Sequence, residues 1–369
     1  MQNGSRQDQT THGTRPGSAR ARASEIWVSG FPSAYGGADT ELDHLIDLWR
    51  RFGVAVHLVP NWAPDPVHLE SVLARGCHVN GYHPAIFADK VVVSFCNGEF
   101  LERLPAIVAA GRPACVVWAN CMTWNFEREI AAHAAGLIDL FVFQSAFQRS
   151  MIEPALEAVR PVREVVGYRP FLNLHNAMQR LSFAYRAPAD AGYFGLGRVS
   201  RDDANKYPAD MWQIFAQVVA PLPTKTFILG FGPNAAERCG ARPPCEWLDW
   251  MTWAPGAIAP AELYRRIHVL IHKTGGSREN WPRTILESMA CGVAVIAEDA
   301  WALPQLVENG VTGFLCRSSE EMSFRASQLA FDHTLRRDMV HAAYDRLLVE
   351  HANAERSFAA WEDLLSVYG

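Results

Sequence analysis

Residues 277–315 concentrate side chains whose types and order could bind a charged, hydroxylated ligand. Glu279 falls in a predicted loop. Pro282 suits a helix start, where its missing N–H costs nothing. The amides of Asn280, Trp281, Arg283 and Thr284 would then crown a helix N-terminus, a natural anion site. Glu287 follows on that helix, and a carboxylate can accept hydrogen bonds from two vicinal hydroxyls, as on a ribose. Taken alone, the segment reads equally well as a surface glutamate followed by a Cys291-Gly292 helix stop. Upstream, Arg198 and Lys206 are either a solvated basic pair or a clamp for an anion. Gly36-Gly37 stand before a helix, where the lack of a Cβ lets backbone amides approach a ligand closely. Asp39 and Glu41 would favour the dipole of that helix's first turn.

The elements that must position these residues alternate regularly. Glu25–Ser29 reads as a strand, 38–51 as a helix with apolar Leu42, Leu45, Ile46, Leu48 and Trp49 on one face, and 54–59 as the next strand. Strands at Val91–Phe95, 114–119, Leu140–Phe143 and 162–166 alternate with helices at 101–110, 127–135 and 146–159, the last interrupted near Pro154. Residues 188–192 look like a linker end. The pattern restarts with strands at 193–196, 226–229, 246–250, Val269–His272 and 293–297, between helices at 209–219, 261–267 and 284–290. Apolar runs such as Val91–Phe95 suit a parallel sheet covered on both faces. The expectation is an α/β protein of two Rossmann-like, doubly wound halves facing a cleft. The division is 1–24 as a disordered leader, 25–170, 171–350, and a last helix in 351–369 that either crosses back to the first half or closes the second.

Composition sets the bounds. The chain has 369 residues, 49% hydrophobic and 20% charged, which excludes disorder for its bulk. A net charge of −5 argues against nucleic acid as a partner. No apolar run reaches membrane-spanning length. The eight cysteines have neither disulfide-framework nor zinc-ribbon spacing and read as reduced thiols of a cytoplasmic protein.

The 277–315 segment resembles the donor-site signature of retaining glycosyltransferases of the GT-B fold, above all family 4. That signature is Glu-x7-Glu, a small-residue helix end with Gly, an apolar strand, then Pro-x-Leu-Val-x-x-Gly-x-x-Gly. It appears here as Glu279 to Glu287, Ser288 to Gly292, Val293 to Ala297, Pro304 to Gly310 and Gly313. The resemblance implies that Glu287 holds the nucleotide ribose, that Glu279 meets the transferred sugar, and that Asn280 and Trp281 lie beside the sugar and diphosphate. It also implies that Arg198 and Lys206 clamp the diphosphate, whose charge grows as the glycosidic bond breaks and needs no metal to be stabilised. Gly36 and Gly37 match a Gly-rich loop near the diphosphate, and Gly232 a loop beside the nucleotide. His272 could approach the diphosphate or sugar, or be a satisfied core histidine.

The implied activity is transfer of a sugar from a nucleotide-diphosphate sugar to a small-molecule acceptor, with no cofactor. An epimerase of the same fold and a silent sugar-nucleotide-binding protein remain alternatives. Two departures stand out. Where relatives keep a His after a first-domain strand, this chain offers Asn120. Where they have glycines after the 293–297 strand, it has Ala300-Trp301-Ala302. The acceptor is not legible, although Trp62, Tyr82, Trp118 and Trp124 suggest something flat or partly apolar: a secondary metabolite or a sugar.

Overall fold

In a computed structural model, which describes residues 25–32, 37–167 and 181–368, two parallel sheets each carry helices on both faces. The first sheet comprises β1 (Glu25–Ser29), β2 (Ala55–Val59), β3 (His78–Val79), β4 (Val91–Phe95), β5 (Cys115–Asn120), β6 (Leu140–Phe143) and β7 (Glu164–Gly167), in the order β3-β2-β1-β4-β5-β6-β7. Its helices are α1 (Gly37–Arg51), α2 (Pro66–Ala74), α3 (Gly98–Ala110), α4 (Glu127–Ala134) and α5 (Ala146–Glu157). Strands β1, β4, β5 and β6 are buried along most of their length, as their unbroken apolar runs require.

The second sheet runs β10-β9-β8-β11-β12-β13, with β8 (Phe194–Val199), β9 (Thr224–Leu229), β10 (Leu248–Trp253), β11 (Val269–His272), β12 (Ala294–Glu298) and β13 (Phe314–Cys316). Helices α6 (Pro188–Ala191), α7 (Met211–Ala216), α8 (Pro233–Cys239), α9 (Pro260–Tyr264), α10 (Arg283–Ala290), α11 (Leu303–Leu306), α12 (Ser319–Phe331) and α13 (His333–Arg346) surround it. Strand order reverses between β1 and β4 in the first sheet and between β8 and β11 in the second. Ligands of doubly wound sheets bind beyond the strand ends at such points.

The last helix, α14 (Ala354–Tyr368), joins the core of the first domain. Phe358 stacks on Phe52 with ring centroids 4.3 Å apart, and Trp361 meets Trp49 edge-on at 5.0 Å.

Local differences from the sequence expectation have local causes. Residues 188–192 form one helical turn, closed by Gly192 at φ 71°. Helix α5 continues through Pro154, which breaks one backbone hydrogen bond without ending the helix. Helix α2 went unread although Asp65 caps it, accepting from the Val67 and His68 amides, and Pro66 opens it. The 1–24 leader, Gly36 and the 170/171 boundary lie outside the described residues.

Candidate functional site

Lys206 follows β8 in a short 3₁₀ turn, and Glu279 follows β11 in a loop. The two segments are tied by backbone: the amides of Gly275 and Ser277 donate to the Asn205 carbonyl at 2.9 and 3.0 Å. Gly275 is required, because a Cβ there would stand 2.0 Å from the Tyr207 carbonyl oxygen. Thr274 anchors the loop from the other side, its amide and hydroxyl donating to Glu298 Oε1 at 3.1 and 2.7 Å. The result brings Lys206 Nζ to 2.6 Å from Glu279 Oε1, at the switch point of the second sheet.

Glu279 is only 6% exposed. Burial pushes its carboxyl up, but His272, Lys206 and Arg198 outweigh that and hold it below the usual carboxylate range. His272, at the end of β11, places Nε2 3.8 Å from Glu279 Oε1. Burial, assisted by Arg198 and Lys206, pushes the imidazole down to about 4, so it is neutral at neutral pH. The site thus sets a lysine and a neutral imidazole against one carboxylate.

These groups line a cavity of about 350 Å³ between the domains, together with Asn280, Trp281 and the first turn of α10. Arg201, Arg278 and Arg283 also face it. Thr284 lines it as well, its hydroxyl buried and without a hydrogen-bond partner. The sequence pattern pointed to the amides of Arg283 and Thr284 at the start of α10; Arg201 and Arg278 are additions that the structure makes. Arg283 also binds Glu41 of α1, across the domain boundary.

The other expected residues differ in where they stand. Arg198 is 2% exposed and lies behind Lys206: its Nη2 donates to the Lys206 carbonyl and its guanidinium sits 4.9 Å from the centre of the Tyr207 ring. It therefore positions the loop that carries Lys206 and is not part of the cavity wall. Asn280 faces the cavity, yet its side chain is engaged between domains. Its Oδ1 accepts from Ser145 Oγ, and its Nδ2 donates to Gln144 Oε1 at 2.8 Å and the Cys121 carbonyl at 3.1 Å.

Glu287 is one turn along α10 from Arg283. Its Oε2 accepts from Tyr264 Oη at 3.0 Å, and its Oε1 lies 3.5 Å from Arg283 Nε. Trp281 packs against the second-domain core, edge-on to His351. Gly37 opens α1. Gly232 precedes α8, where a Cβ would meet the Asp202 carboxylate at 2.3 Å; that carboxylate accepts from the Ala235 amide at 2.8 Å, so Asp202 already caps the helix.

Asn120 is not brought to the Glu279 group. Its Nδ2 donates to both oxygens of Glu129, at 2.8 and 3.0 Å, and its Oδ1 accepts from the Met122 amide at 2.7 Å. Trp301 takes φ 57°, a conformation suited to the glycine expected there, and its ring lies 6.0 Å from Phe147 of the first domain. All eight cysteines are free thiols. Among the described residues there is no cluster of three or more metal-ligating side chains, and no helix is long and apolar enough to cross a membrane.

Comparison with known proteins places this geometry. Residues 198–365 match the family described as Glycosyl transferases group 1. The N-acetyl-alpha-D-glucosaminyl L-malate synthase of Bacillus anthracis is 22% identical over 229 residues, 60% of this chain. The match spans 58% of that relative's length. Anabaena Alr3699/HepE, solved in complex with UDP and glucose, superposes with a TM-score of 0.67 at 16% identity, covering 93% of this chain and 99% of that one. TarM superposes with a TM-score of 0.71 at 9% identity, covering 94% and 99%. At such identities the structural likeness establishes the fold, which is GT-B.

Proposed function

From a chain whose residues 198–365 form a glycosyl transferases group 1 domain in a GT-B frame, we propose a retaining glycosyltransferase. It moves a sugar from a nucleotide-diphosphate sugar to a small-molecule acceptor in the cytoplasm, without an obligatory metal. The observation that carries this reading is the pairing of part-buried Lys206 with buried Glu279, 2.6 Å apart, at the mouth of α10. A carboxylate alone would repel a diphosphate. Paired with Lys206 and flanked by Arg201, Arg278 and the α10 amides, it can accept sugar hydroxyls while the cations face the phosphates.

In the proposed step the bond from the anomeric carbon to the leaving phosphate oxygen breaks. A bond to the acceptor oxygen forms on the same face, and the acceptor's proton passes to the leaving phosphate. Lys206 stabilises the charge that develops there, with the loop fixed from behind by Arg198. Glu279 orients hydroxyls and is not a nucleophile. Glu287 and its partner Tyr264 would receive the ribose.

NMR of the product's anomeric proton, after turnover with a panel of UDP- and GDP-sugars, tests the reading. Retained configuration is expected. An inverted product overturns the mechanism, and so does a trapped covalent adduct on Glu279.

A further inference from the structure

Two of the eight cysteines meet at the cleft. Strands β4 and β5 run parallel with Phe95 opposite Ala119, and each is followed at once by a cysteine, Cys96 after β4 and Cys121 after β5. The Cys96 amide donates to the Ala119 carbonyl at 2.9 Å, and the Cys121 amide donates to Cys96 Sγ at 2.9 Å. The Cys121 thiol is itself hydrogen-bonded to Cys96. Neighbouring strands lie about 4.7–4.9 Å apart, within the Cα separations of about 4.4–6.8 Å that a disulfide spans.

The two thiols differ from the rest. Five of the other six are buried, and burial pushes Cys115, Cys291 and Cys316 up to about 12. Cys96 and Cys121 are half-buried, and each lines a cavity: Cys96 one of about 400 Å³ in the first domain, Cys121 the Glu279 cavity. A small solute therefore reaches both. Cys96 also takes φ 47°, a left-handed conformation uncommon for a residue with a Cβ, and such strain gathers at sites with a task. The Cys121 carbonyl accepts from Asn280 Nδ2 at 3.1 Å, across the domain boundary, and Asn280 adjoins Glu279. A displacement of Cys121 toward Cys96 is thus passed to the loop that carries the Glu279 carboxylate.

We propose that Cys96 and Cys121 form a reversible dithiol switch, closed by a low-molecular-weight disulfide, and that closure draws the Cys121 carbonyl away from Asn280. In the first step Cys96 Sγ attacks one sulfur of the small disulfide. A mixed S–S bond forms, the old S–S bond breaks, and one small thiol leaves with the Cys96 proton. In the second, Cys121 Sγ attacks Cys96 Sγ, the mixed bond breaks, and the second small thiol leaves with the Cys121 proton. Two protein thiols are oxidised, and one small disulfide is reduced to two thiols. Cys96 acts first because the Cys121 thiol is pushed well above its ordinary value, chiefly by its hydrogen bond to Cys96 and then by burial. That hold weakens once Cys96 is capped. A disulfide closed against a native hydrogen bond is strained and readily reduced, which suits a switch rather than a staple.

Peptide mapping of the full chain tests the pairing, after incubation with glutathione disulfide at graded ratios to glutathione and alkylation of the remaining thiols. Trypsin separates the two sulfurs, with Cys96 in 91–103 and Cys121, beside Cys115, in 104–128. The expected result is a link between these peptides that fragmentation assigns to Cys121, that dithiothreitol reverses and that Cys96→Ser abolishes. Both thiols still free at the most oxidising ratio, only mixed disulfides with glutathione, or a link through another cysteine overturns the pairing. Hydrogen exchange tests the coupling. Residues 277–284 should exchange about three- to tenfold faster in the linked protein, the worth of one hydrogen bond. Cys121→Ser should show no such response to the oxidant. Unaltered exchange in the linked protein defeats the switch. Neither readout uses nucleotide or acceptor, so the outcome is independent of the transferase reading.

Discussion

Two cavities meet at Met122 and Trp124, the Glu279 cavity and one of about 400 Å³ in the first domain between the ends of β4 and β5 and the first turn of α4; they share a topology but treat a buried carboxylate differently. In the second domain a buried carboxylate, Glu279, is paired with a lysine and held below its ordinary range. In the first, a buried carboxylate, Glu129, has only neutral donors, Trp118 and Asn120, and is pushed up. Burial opposes ionisation in both, so the difference lies in the nearest partner. On the proposed reading the Glu279 cavity meets a diphosphate and sets Lys206, Arg201 and Arg278 beside its carboxylate, whereas the hydrogen-bond partners of Glu129 are neutral. In doubly wound sheets the switch points set where ligands bind, and the side chains at the strand ends set which.

Lys206→Ala breaks the comparison most severely. It removes the cation that the proposed reading sets against the leaving group and leaves Glu279 buried without its lysine partner. The rate at saturating donor should fall about 100- to 1,000-fold, the usual effect of losing one stabilising group in a transition state. Arg128→Ala, in the first-domain cavity and paired with Glu102 near the surface, should instead leave the saturated rate little changed. Steady-state release of nucleoside diphosphate measures both, and equal losses of saturated rate would show that the two cavities are not specialised in this way.

The contrast has a pH signature in stability. The folded-state pKa of Glu129 is raised from 4.5 to about 7. Below about pH 4.5 the group is protonated in both states. Between 4.5 and 7 the unfolded chain releases the proton while the folded chain keeps it, so stability falls as pH rises, by about 3 kcal/mol in all. His268 in the second domain has the opposite slope. Its Nδ1 accepts from the Gly195 amide at 2.8 Å, which requires the neutral ring. Burial, with Arg336 and Arg186, lowers its pKa from 6.5 to about 3. Above pH 6.5 it contributes nothing; below, the unfolded chain takes up the proton first. Stability then falls by about 1.4 kcal/mol for each unit, or about 2 kcal/mol by pH 5. Urea unfolding from pH 5 to 8 should show Glu129→Gln flattening the rise toward acid and His268→Gln flattening the fall. If either variant leaves the pH profile unchanged, the assigned burial effect is wrong for that group.

Legibility in the sequence follows the same divide. The second-domain site draws much of its wall from one stretch, Arg278 to Thr284, so a contiguous pattern revealed it. What the pattern could not show was that Arg198 would lie behind Lys206 and act through its carbonyl, because burial depends on how Tyr207 packs. The first-domain cavity is assembled from residues 96 to 129, on the ends of separate strands and helices, with no spacing rule. Trp124 and Trp118 were visible as aromatics, but their relation to Glu129 was not. Alternation of strands and helices was clear wherever apolar runs were long. It failed for two- and three-residue strands such as β3 and β13, whose pairing is decided by neighbours far along the chain.

Glu287 is where the two readings of a carboxylate can be separated most finely. It is neither buried against neutral donors like Glu129 nor paired tightly like Glu279. Tyr264 Oη holds one oxygen at 3.0 Å, and Arg283 stands 3.5 Å from the other. That arrangement fixes the carboxylate in orientation while leaving lone pairs for two ribose hydroxyls. Glu287→Ala should therefore weaken nucleoside diphosphate binding about tenfold or more, since hydrogen bonds to a charged group are each worth about 1.5–3 kcal/mol. Tyr264→Phe keeps the carboxylate and removes only its support, so a smaller loss is expected, with the saturated rate retained. Calorimetric titration of UDP and GDP into both variants makes the measurement. A larger loss in Tyr264→Phe than in Glu287→Ala would mean that Tyr264 contacts the nucleotide and Glu287 merely orients it.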